Sequence, residues 1–179
     1  PIVEFQFADF SSFAFGVITH YFATHAVRGI GALPVVLRMP AGCTTKNSGM
    51  FHSVNPESWF AGIPGLKIVA PITAFDAKGL LKSAIYYNDP VIFLEYKEYY
   101  RIKPGSDLLP PELNTRIPEG DYCIPFGKAR VLKAGTDVTL VSYGSQVFRA
   151  LKAAAMLEQN DNVSVEVIDL RSLIPWDAE

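Results

Sequence analysis

The chain has 179 residues, of which 49 % are hydrophobic and 19 % are charged, with a formal net charge of -2. This composition supports a sizeable core and excludes a disordered chain, and the absence of a clustered Lys/Arg run argues against nucleic-acid binding. No apolar span predicts a membrane helix. Cys43 and Cys123 lie far apart without CxxC or histidine spacing, which disfavours a disulfide framework or zinc site and suits a reducing compartment.

The first hundred residues alternate between short apolar runs and segments with helical spacing. The predicted strands, buried and parallel by their composition, are 2–8, 34–39, 66–70 and 90–95. The predicted helices are 13–26, 56–61 and 73–87. Ser11 and Ser12 are candidate N-caps of the first helix, which is rich in aromatic residues, and Thr73 with Asp76 forms a capping box for the last.

A change of composition divides the chain. The segment 97–123 is rich in Pro, Gly and charge, which is typical of a linker, and a βαβ unit follows it. The strands of that unit are predicted at 137–143 and 163–170, with a helix at 145–159. Strands alternating with helices on both sides of the linker predict an α/β chain with parallel sheets in two domains. The expected boundaries are 1–100, a linker at 101–126, and 127–179.

Both ends of the sequence indicate a segment of a longer polypeptide. The sequence lacks an initiator Met and opens on PIVEFQFADF, which has the pattern of a strand already under way. It closes on IPWDAE, which has the pattern of a helix about to start.

A polar loop from Pro40 to Ser53 presents one histidine, His52. Loops between rigid elements often carry functional residues, and histidine is suited to proton transfer near neutral pH. From spacing alone, a surface histidine without a role is the simpler interpretation. His20 and His25 fall in the aromatic segment and are interpreted as partly buried or interfacial histidines.

Phe10, next to Asp9 at the end of the first predicted strand, is the aromatic residue best placed to stack on a ring ligand. Ligands of open α/β sheets bind at the carboxyl ends of the strands. Phe5 and Phe7 are assigned to core packing. The sequence contains neither GxGxxG nor GxxxxGK[ST], and Ser145 is not in a GxSxG elbow, so phosphate-loop and serine-hydrolase chemistry lack support.

Seven collinear stretches carry a family resemblance: VEFQFADF, RMPAG, MFHS, PGLKIVAP, DAKGLLKSAI, DPVIFLE and EVIDLRSLIPWD. In these the chain resembles the beta subunit of the thiamine-diphosphate-dependent decarboxylating component of 2-oxoacid dehydrogenase complexes. That family includes enzymes for branched-chain 2-oxoacids, pyruvate and acetoin, and EYKEYYR is closer to the branched-chain type. The resemblance implies a parallel-sheet pyrimidine-binding domain, lacking its N-terminal part, followed by the opening of a transketolase C-terminal-like domain.

The resemblance also assigns site residues. Phe10 matches the aromatic residue that stacks on the aminopyrimidine ring, and Gln6 matches a polar residue of the same pocket. His52 matches the active-site histidine, which assists proton movement and acyl transfer to the lipoyl group, and this replaces the interpretation without a role. Some relatives bind a structural potassium ion, mostly through backbone carbonyls, near the positions of Val35, Val36, Ala84, Tyr87 and Asp89.

The resemblance implies partners and a divided cofactor site. The alpha subunit holds the diphosphate and Mg²⁺ of thiamine diphosphate, in a heterotetramer of two alpha and two beta chains that serves a lipoyl-bearing acyltransferase core. The family glutamate that activates the cofactor lies upstream of this chain, so we expect the segment alone to be inactive. The expected location is the cytoplasm of a bacterium or archaeon, or the mitochondrial matrix of a eukaryote.

Two departures and two alternatives accompany this resemblance. Relatives usually have Gln where Val54 stands, and often Asp-Gln where Gly16-Val17 stand. The first alternative keeps the fold and changes the chemistry to that of a transketolase-like or deoxyxylulose-phosphate-synthase-like enzyme. The second is a non-catalytic interaction fragment that docks through the segment 13–26.

Overall fold

A computed structural model describes residues 1–43, 49–103 and 105–179. The strands are β1 (Ile2–Glu4), β2 (Val36–Ala41), β3 (Lys67–Val69), β4 (Val91–Tyr96), β5 (Arg130–Lys133), β6 (Val138–Ser142), β7 (Val165–Asp169) and β8 (Ser172–Ile174). The α-helices are α1 (Glu57–Phe60), α2 (Ala74–Tyr86) and α3 (Ser145–Asp161). Short 3₁₀ helices span Ala8–Ala14, Lys97–Tyr99 and Pro111–Leu113, and a π-helix spans Val17–Phe22.

The strands form two sheets. The first has the order β1-β2-β4-β3-β8, in which the first four strands are parallel and β8 pairs antiparallel with β3. The second has the order β5-β7-β6, in which β6 and β7 are parallel neighbours joined by α3, while β5 is antiparallel to β7. The predicted α/β class is confirmed. Because β8 follows β7 in the chain, the first sheet takes its last strand from the C-terminal half.

The central strands of the first sheet are buried on both faces, which explains their continuous apolar runs. Leu37, Met39, Ile92 and Leu94 belong to a core cluster on one face. Alternate residues on the same strands, Val36, Val91 and Phe93, pack on the other face with Leu80 and Ala84 of α2. The start of α2 agrees with its predicted cap, since Thr73 Oγ1 accepts a hydrogen bond from Asp76 N at 3.0 Å.

The structure corrects the predictions for residues 2–26. The first strand ends at Glu4, and the predicted helix 13–26 is divided into a 3₁₀ helix and a π-helix. Thr19 and Thr24 donate to the carbonyls of Phe15 and His20, four residues back, and bonds of this kind bend helices. Ser11 and Ser12 both lie inside the 3₁₀ helix, and Ser11 donates to Ala8 O, so the assignment of these two residues as N-caps was wrong.

The described structure closes with β8, followed by the non-helical residues 175–179. The expected start of a helix at the close of the sequence stays a prediction. In the described parts of the chain, no helix is long and apolar enough to cross a membrane.

Candidate active site

The candidate site lies where β1 and β2 end. After β1 the chain passes Gln6 and Phe7 and enters the 3₁₀ helix that carries Asp9 and Phe10. After β2 it enters the polar loop, of which residues 44–48 lie outside the described part of the chain. The loop returns at residue 49 and presents His52. Since β1 and β2 are parallel neighbours, these two connections start from the same edge of the sheet.

Two phenyl rings pack against the imidazole of His52. The Phe7 ring stacks on it with a centroid distance of 4.2 Å and an interplanar angle of 18°. The Phe10 ring meets it edge to face at 5.6 Å and 69°. His52 itself is exposed, while Phe7 and Phe10 are half-buried. The structure therefore brings Phe10 and His52, the two principal predicted residues, into one aromatic cluster.

The backbone of His52 has an unusual conformation, with φ of 64°. This left-handed region is costly for a residue with a Cβ and persists only where neighbouring groups fix it. Asp9 supplies one such group, because its Oδ1 accepts from His52 N at 2.9 Å and its Oδ2 from Val54 N at 3.4 Å. Lys97 supplies another, because its ammonium donates to the carbonyl of His52.

Lys97 follows β4 directly and is the first residue of the 3₁₀ helix Lys97–Tyr99. It contacts the aromatic cluster from this third element. Its Nζ lies 4.6 Å from the centroid of the Phe7 ring, within the range of a cation–π contact. Burial lowers the pKa of Lys97, and the carboxylate of Asp9 opposes that shift. One cation and one anion therefore flank the aromatic cluster.

Gln6 lies in a groove beside the cluster. The groove encloses about 820 Å³, and Phe7 and Lys97 line both the groove and the cluster. On its floor Arg38 donates to Glu95 through Nε at 2.6 Å and Nη2 at 3.0 Å. Gln6 is exposed and precedes Phe7 in the chain, so its side-chain amide lies beside the aromatic cluster of Phe7, Phe10 and His52.

The five positions expected near a potassium ion lie where β2 begins and α2 ends. Val36, Ala84 and Tyr87 share one apolar cluster. The carbonyls of Val35 and Ala84 each accept a backbone hydrogen bond, from Val91 N at 2.9 Å and Tyr87 N at 3.4 Å, and a carbonyl has capacity for a second partner. Asp89 is half-buried and two residues beyond Tyr87.

The His, Cys, Asp and Glu side chains of the described residues do not form a group that could bind a metal ion. Within residues 1–43, 49–103 and 105–179, no group of three or more His, Cys, Asp and Glu side chains is placed to hold a metal ion.

Sequence reasoning missed three residues of this site. Phe7 was assigned to core packing, but its ring stacks on His52. Asp9 and Lys97 were not considered as functional residues, although each has a signal in the sequence. Both are charged residues close to the end of a predicted strand, at the edge of the sheet where ligands bind. Their contacts with His52 span 43 and 45 residues, and no local pattern predicts such contacts.

Comparison with known families agrees with this architecture. The family described as "Transketolase, pyrimidine binding domain" matches residues 1–103, and "Transketolase, C-terminal domain" matches residues 127–179. The chain belongs to the transketolase pyrimidine-binding family. Within this class it is 41 % identical over 182 residues to the mitochondrial 2-oxoisovalerate dehydrogenase subunit beta of Dictyostelium discoideum. It is 42 % identical over 181 residues to the 2-oxoisovalerate dehydrogenase subunit beta of Bacillus subtilis.

Both alignments cover 100 % of this chain, but 46 % of the Dictyostelium protein and 52 % of the Bacillus protein. The chain therefore spans about half the length of the curated relatives it matches. A solved structure described as a split gene transketolase, an inactive beta4 tetramer, has a TM-score of 0.72 and 25 % identity. That likeness covers 99 % of this chain and 51 % of the other. The resemblance predicted from the motifs is confirmed.

Proposed function

We propose that this chain is part of the beta subunit of a 2-oxoacid dehydrogenase. The reaction is thiamine-diphosphate-dependent oxidative decarboxylation of a 2-oxoacid, followed by reductive acylation of a lipoyl group. The observation that carries the proposal is the contact of His52 with Phe10 and Phe7 at the end of β1 and β2. The two 2-oxoisovalerate dehydrogenase relatives, collinear over the whole chain, support this chemistry.

The residues present fit one half of the proposed cofactor. Phe10 offers a half-buried aromatic face on which a pyrimidine ring stacks, and Gln6 offers an amide that hydrogen-bonds to ring nitrogens. Bound thiamine diphosphate supplies the nucleophilic carbon that attacks the 2-oxo group and carries the acyl unit. His52 would hold or deliver a proton at its imidazole nitrogens. Its stacking on Phe7 limits rotation of the ring, and this fixes the direction of proton transfer.

The other half of the site belongs, in this proposal, to an alpha subunit. That subunit holds the diphosphate and Mg²⁺, in a heterotetramer of two alpha and two beta chains that delivers acyl groups to a lipoyl-bearing acyltransferase core. A potassium ion bound by backbone oxygens near Val35, Val36, Ala84, Tyr87 and Asp89 stabilises the beta subunit. The proposed domains are 1–100 and 127–179 around a linker at 101–126, which the two family matches support. The proposed location remains the bacterial or archaeal cytoplasm or the mitochondrial matrix.

The test is reconstitution of the full-length subunit with the product of the neighbouring gene. We expect stable co-purification, and decarboxylation that requires thiamine diphosphate. A panel of branched-chain 2-oxoacids, pyruvate and acetoin identifies the substrate. In the same assembly, His52→Ala is expected to cause a loss of lipoyl acylation, down to a low residual rate, while cofactor binding is largely kept. His20→Ala is the matched control, since His20 is also exposed but lies outside the aromatic cluster. Unchanged acylation in His52→Ala would remove His52 from the mechanism.

The likeness to a split gene transketolase keeps one alternative open to test. A transketolase-like enzyme would transfer two-carbon units between sugar phosphates and would not acylate a lipoyl group. The alternative is favoured less, because the likeness is 25 % identical whereas the two dehydrogenase relatives are 41 % and 42 % identical. A lone homodimer that does not bind the cofactor would instead support the non-catalytic interaction fragment.

A further inference from the structure

We propose that Asp9 and Lys97 are positioning residues that together hold His52 in the orientation needed for acyl transfer. This inference rests on the proposed function of His52. It concerns the main chain of the histidine rather than its ring, and it assigns a role to two charged residues from different elements.

The first step of the argument is the strained backbone. His52 adopts φ of 64° without being a glycine, so its conformation must be imposed by contacts. Asp9 Oδ1 accepts a hydrogen bond from His52 N at 2.9 Å, and the Lys97 ammonium donates to the carbonyl of His52. Both polar groups of the His52 main chain are therefore bonded to side chains. The second carboxylate oxygen of Asp9, Oδ2, accepts a hydrogen bond from Val54 N at 3.4 Å. We call Asp9 and Lys97 the His52 clamp.

The second step is the link from the clamp to the ring. Lys97 lies 4.6 Å from the centroid of the Phe7 ring, and Phe7 stacks on the imidazole at 4.2 Å. Asp9 precedes Phe10, whose ring meets the imidazole edge to face at 5.6 Å. Each member of the clamp therefore contacts the backbone of His52 directly and adjoins one of the two rings that orient its side chain. Displacing either member moves the backbone and the ring together.

The third step is the expected kinetic signature. A residue that positions His52 affects only the step that uses His52, whereas a residue of general structural importance affects every step. We therefore expect Asp9→Ala and Lys97→Met to slow lipoyl acylation by about 10- to 100-fold, the usual effect of a misplaced catalytic group. Decarboxylation measured with an artificial electron acceptor should fall by a smaller factor than acylation does.

The experiment uses the full-length subunit assembled with its alpha partner and thiamine diphosphate. Lys97→Arg keeps a charged donor and is expected to recover most of the acylation rate. Lys152→Met is the matched control for Lys97→Met, because Lys152 also lies over a phenyl ring, that of Phe148, at 4.5 Å, but far along the chain in α3. Amide hydrogen exchange at His52 and Val54 reports the hold on the loop independently of activity, and should accelerate in both clamp variants.

A double-mutant cycle separates the possible results. If the clamp acts through His52, Asp9→Ala has no further effect on the residual acylation rate in the His52→Ala background. Full additivity in that background, or equal loss of decarboxylation and acylation in the single variants, would overturn the positioning role. If His52→Ala lowers acylation while both clamp variants retain the wild-type rate, the clamp is wrong and the proposed function stands. If His52→Ala itself has no effect, both inferences fail.

Discussion

Arg171 donates from Nη1 to Asp76 Oδ1 across 2.6 Å. Arg171 follows β7, and Asp76 lies in the first turn of α2, so this ion pair joins the C-terminal half to the helix that covers the first sheet. Asp76 is fully buried and also accepts from Arg130 Nη1 at 3.3 Å. Two arginines from the second half of the chain therefore meet a single carboxylate from the first.

Removing this carboxylate should destabilise the protein strongly. Asp76→Ala leaves Arg130 and Arg171 without their shared anion and also removes the carboxylate oxygen that accepts from the Thr73 hydroxyl. Breaking one side of a buried ion pair costs about 3–5 kcal/mol. Urea denaturation should show this loss as a lower midpoint with an unchanged slope. Asp121→Ala is the control, because its ion pair with Lys82 is exposed, and its midpoint should match that of the wild type.

Asp169 predicts an unusual dependence of stability on pH. This residue is fully buried at the end of β7; Arg171 N donates to its Oδ1 at 3.0 Å, and its Oδ2 has no hydrogen-bond partner within the described residues. Burial raises the pKa of Asp169 to about 7, and the carboxylate of Asp76 acts in the same direction. The folded protein then binds more protons than the unfolded chain between about pH 4 and 7.

The sign of the effect follows from that difference. The contribution of Asp169 to stability is fully present below about pH 4 and is lost as the pH rises through about 7. Asp169→Asn keeps the shape and cannot ionise, so its free energy of unfolding should fall less than that of the wild type over this range. Urea titrations at several pH values measure how the free energy of unfolding of the wild type and of Asp169→Asn depends on pH. Asp107→Asn is the control, because Asp107 is exposed. Parallel curves for wild type and Asp169→Asn would contradict the prediction.

Gly144 is expected to tolerate no side chain. It links β6 to α3 with φ of 54°, and an added Cβ would lie 2.2 Å from Cζ of Tyr96. Gly144→Ala must displace Tyr96, whose hydroxyl donates to the buried Glu57 at 2.7 Å. We expect a loss of roughly 1–3 kcal/mol from backbone strain and overpacking.

Gly16→Ala is the matched control for Gly144→Ala. Gly16 has helical angles, φ -60° and ψ -40°, and no atom lies within 4 Å of an added Cβ. Alanine at such a position stabilises by up to about 1 kcal/mol, because the unfolded chain loses freedom. Thermal unfolding of both variants should therefore show shifts of opposite sign. Shifts of the same sign would indicate that the contact with Tyr96 does not decide the effect.

Phe10 should contribute to cofactor affinity through its ring. In the full-length assembly, Phe10→Leu keeps apolar volume and removes the aromatic face, and stacking of two rings contributes about 0.5–1.5 kcal/mol beyond area burial. We therefore expect thiamine diphosphate to bind roughly 2- to 10-fold more weakly. Phe13→Leu is the control, because Phe13 is 89 % exposed and contacts Phe10 but not His52. Titration calorimetry of the two variants distinguishes them, and equal affinities would exclude a stacking role for Phe10.

Local patterns predicted the elements that are long or apolar. The runs at β2, β3, β4, β6 and β7, and the helices α2 and α3, lie within a few residues of the predicted bounds. In β2, β3 and β4 most residues are buried, which leaves a continuous apolar signal. Strands β5 and β8 were missed. They have four and three residues, and their residues are mostly half-buried or exposed, so neither shows an apolar run. Only long-range pairing with β7 and β3 makes them strands.

For the candidate site too, the sequence predicted some residues and missed those whose contacts are long-range. Phe10 and His52 were found through family motifs, and the structure brings their rings together. Asp9, Lys97 and Phe7 were missed as partners of His52, because their contacts depend on how three elements converge and not on any spacing within one element. The interruption of the aromatic helix was also missed. Thr19 and Thr24 donate to backbone carbonyls in this segment, and the spacing of its apolar residues does not predict such bonds.

The antiparallel pairing of β8 with β3 has a consequence for synthesis on the ribosome. Val69 of β3 pairs with Ser172 of β8, which is synthesised about 100 residues later. Until then the β3 edge of the first sheet is unpaired. At common translation rates the delay is roughly 5–20 s. During that interval an unpaired strand is open to association with other nascent chains, so the emerging polypeptide has the greatest need of a chaperone before its second half appears.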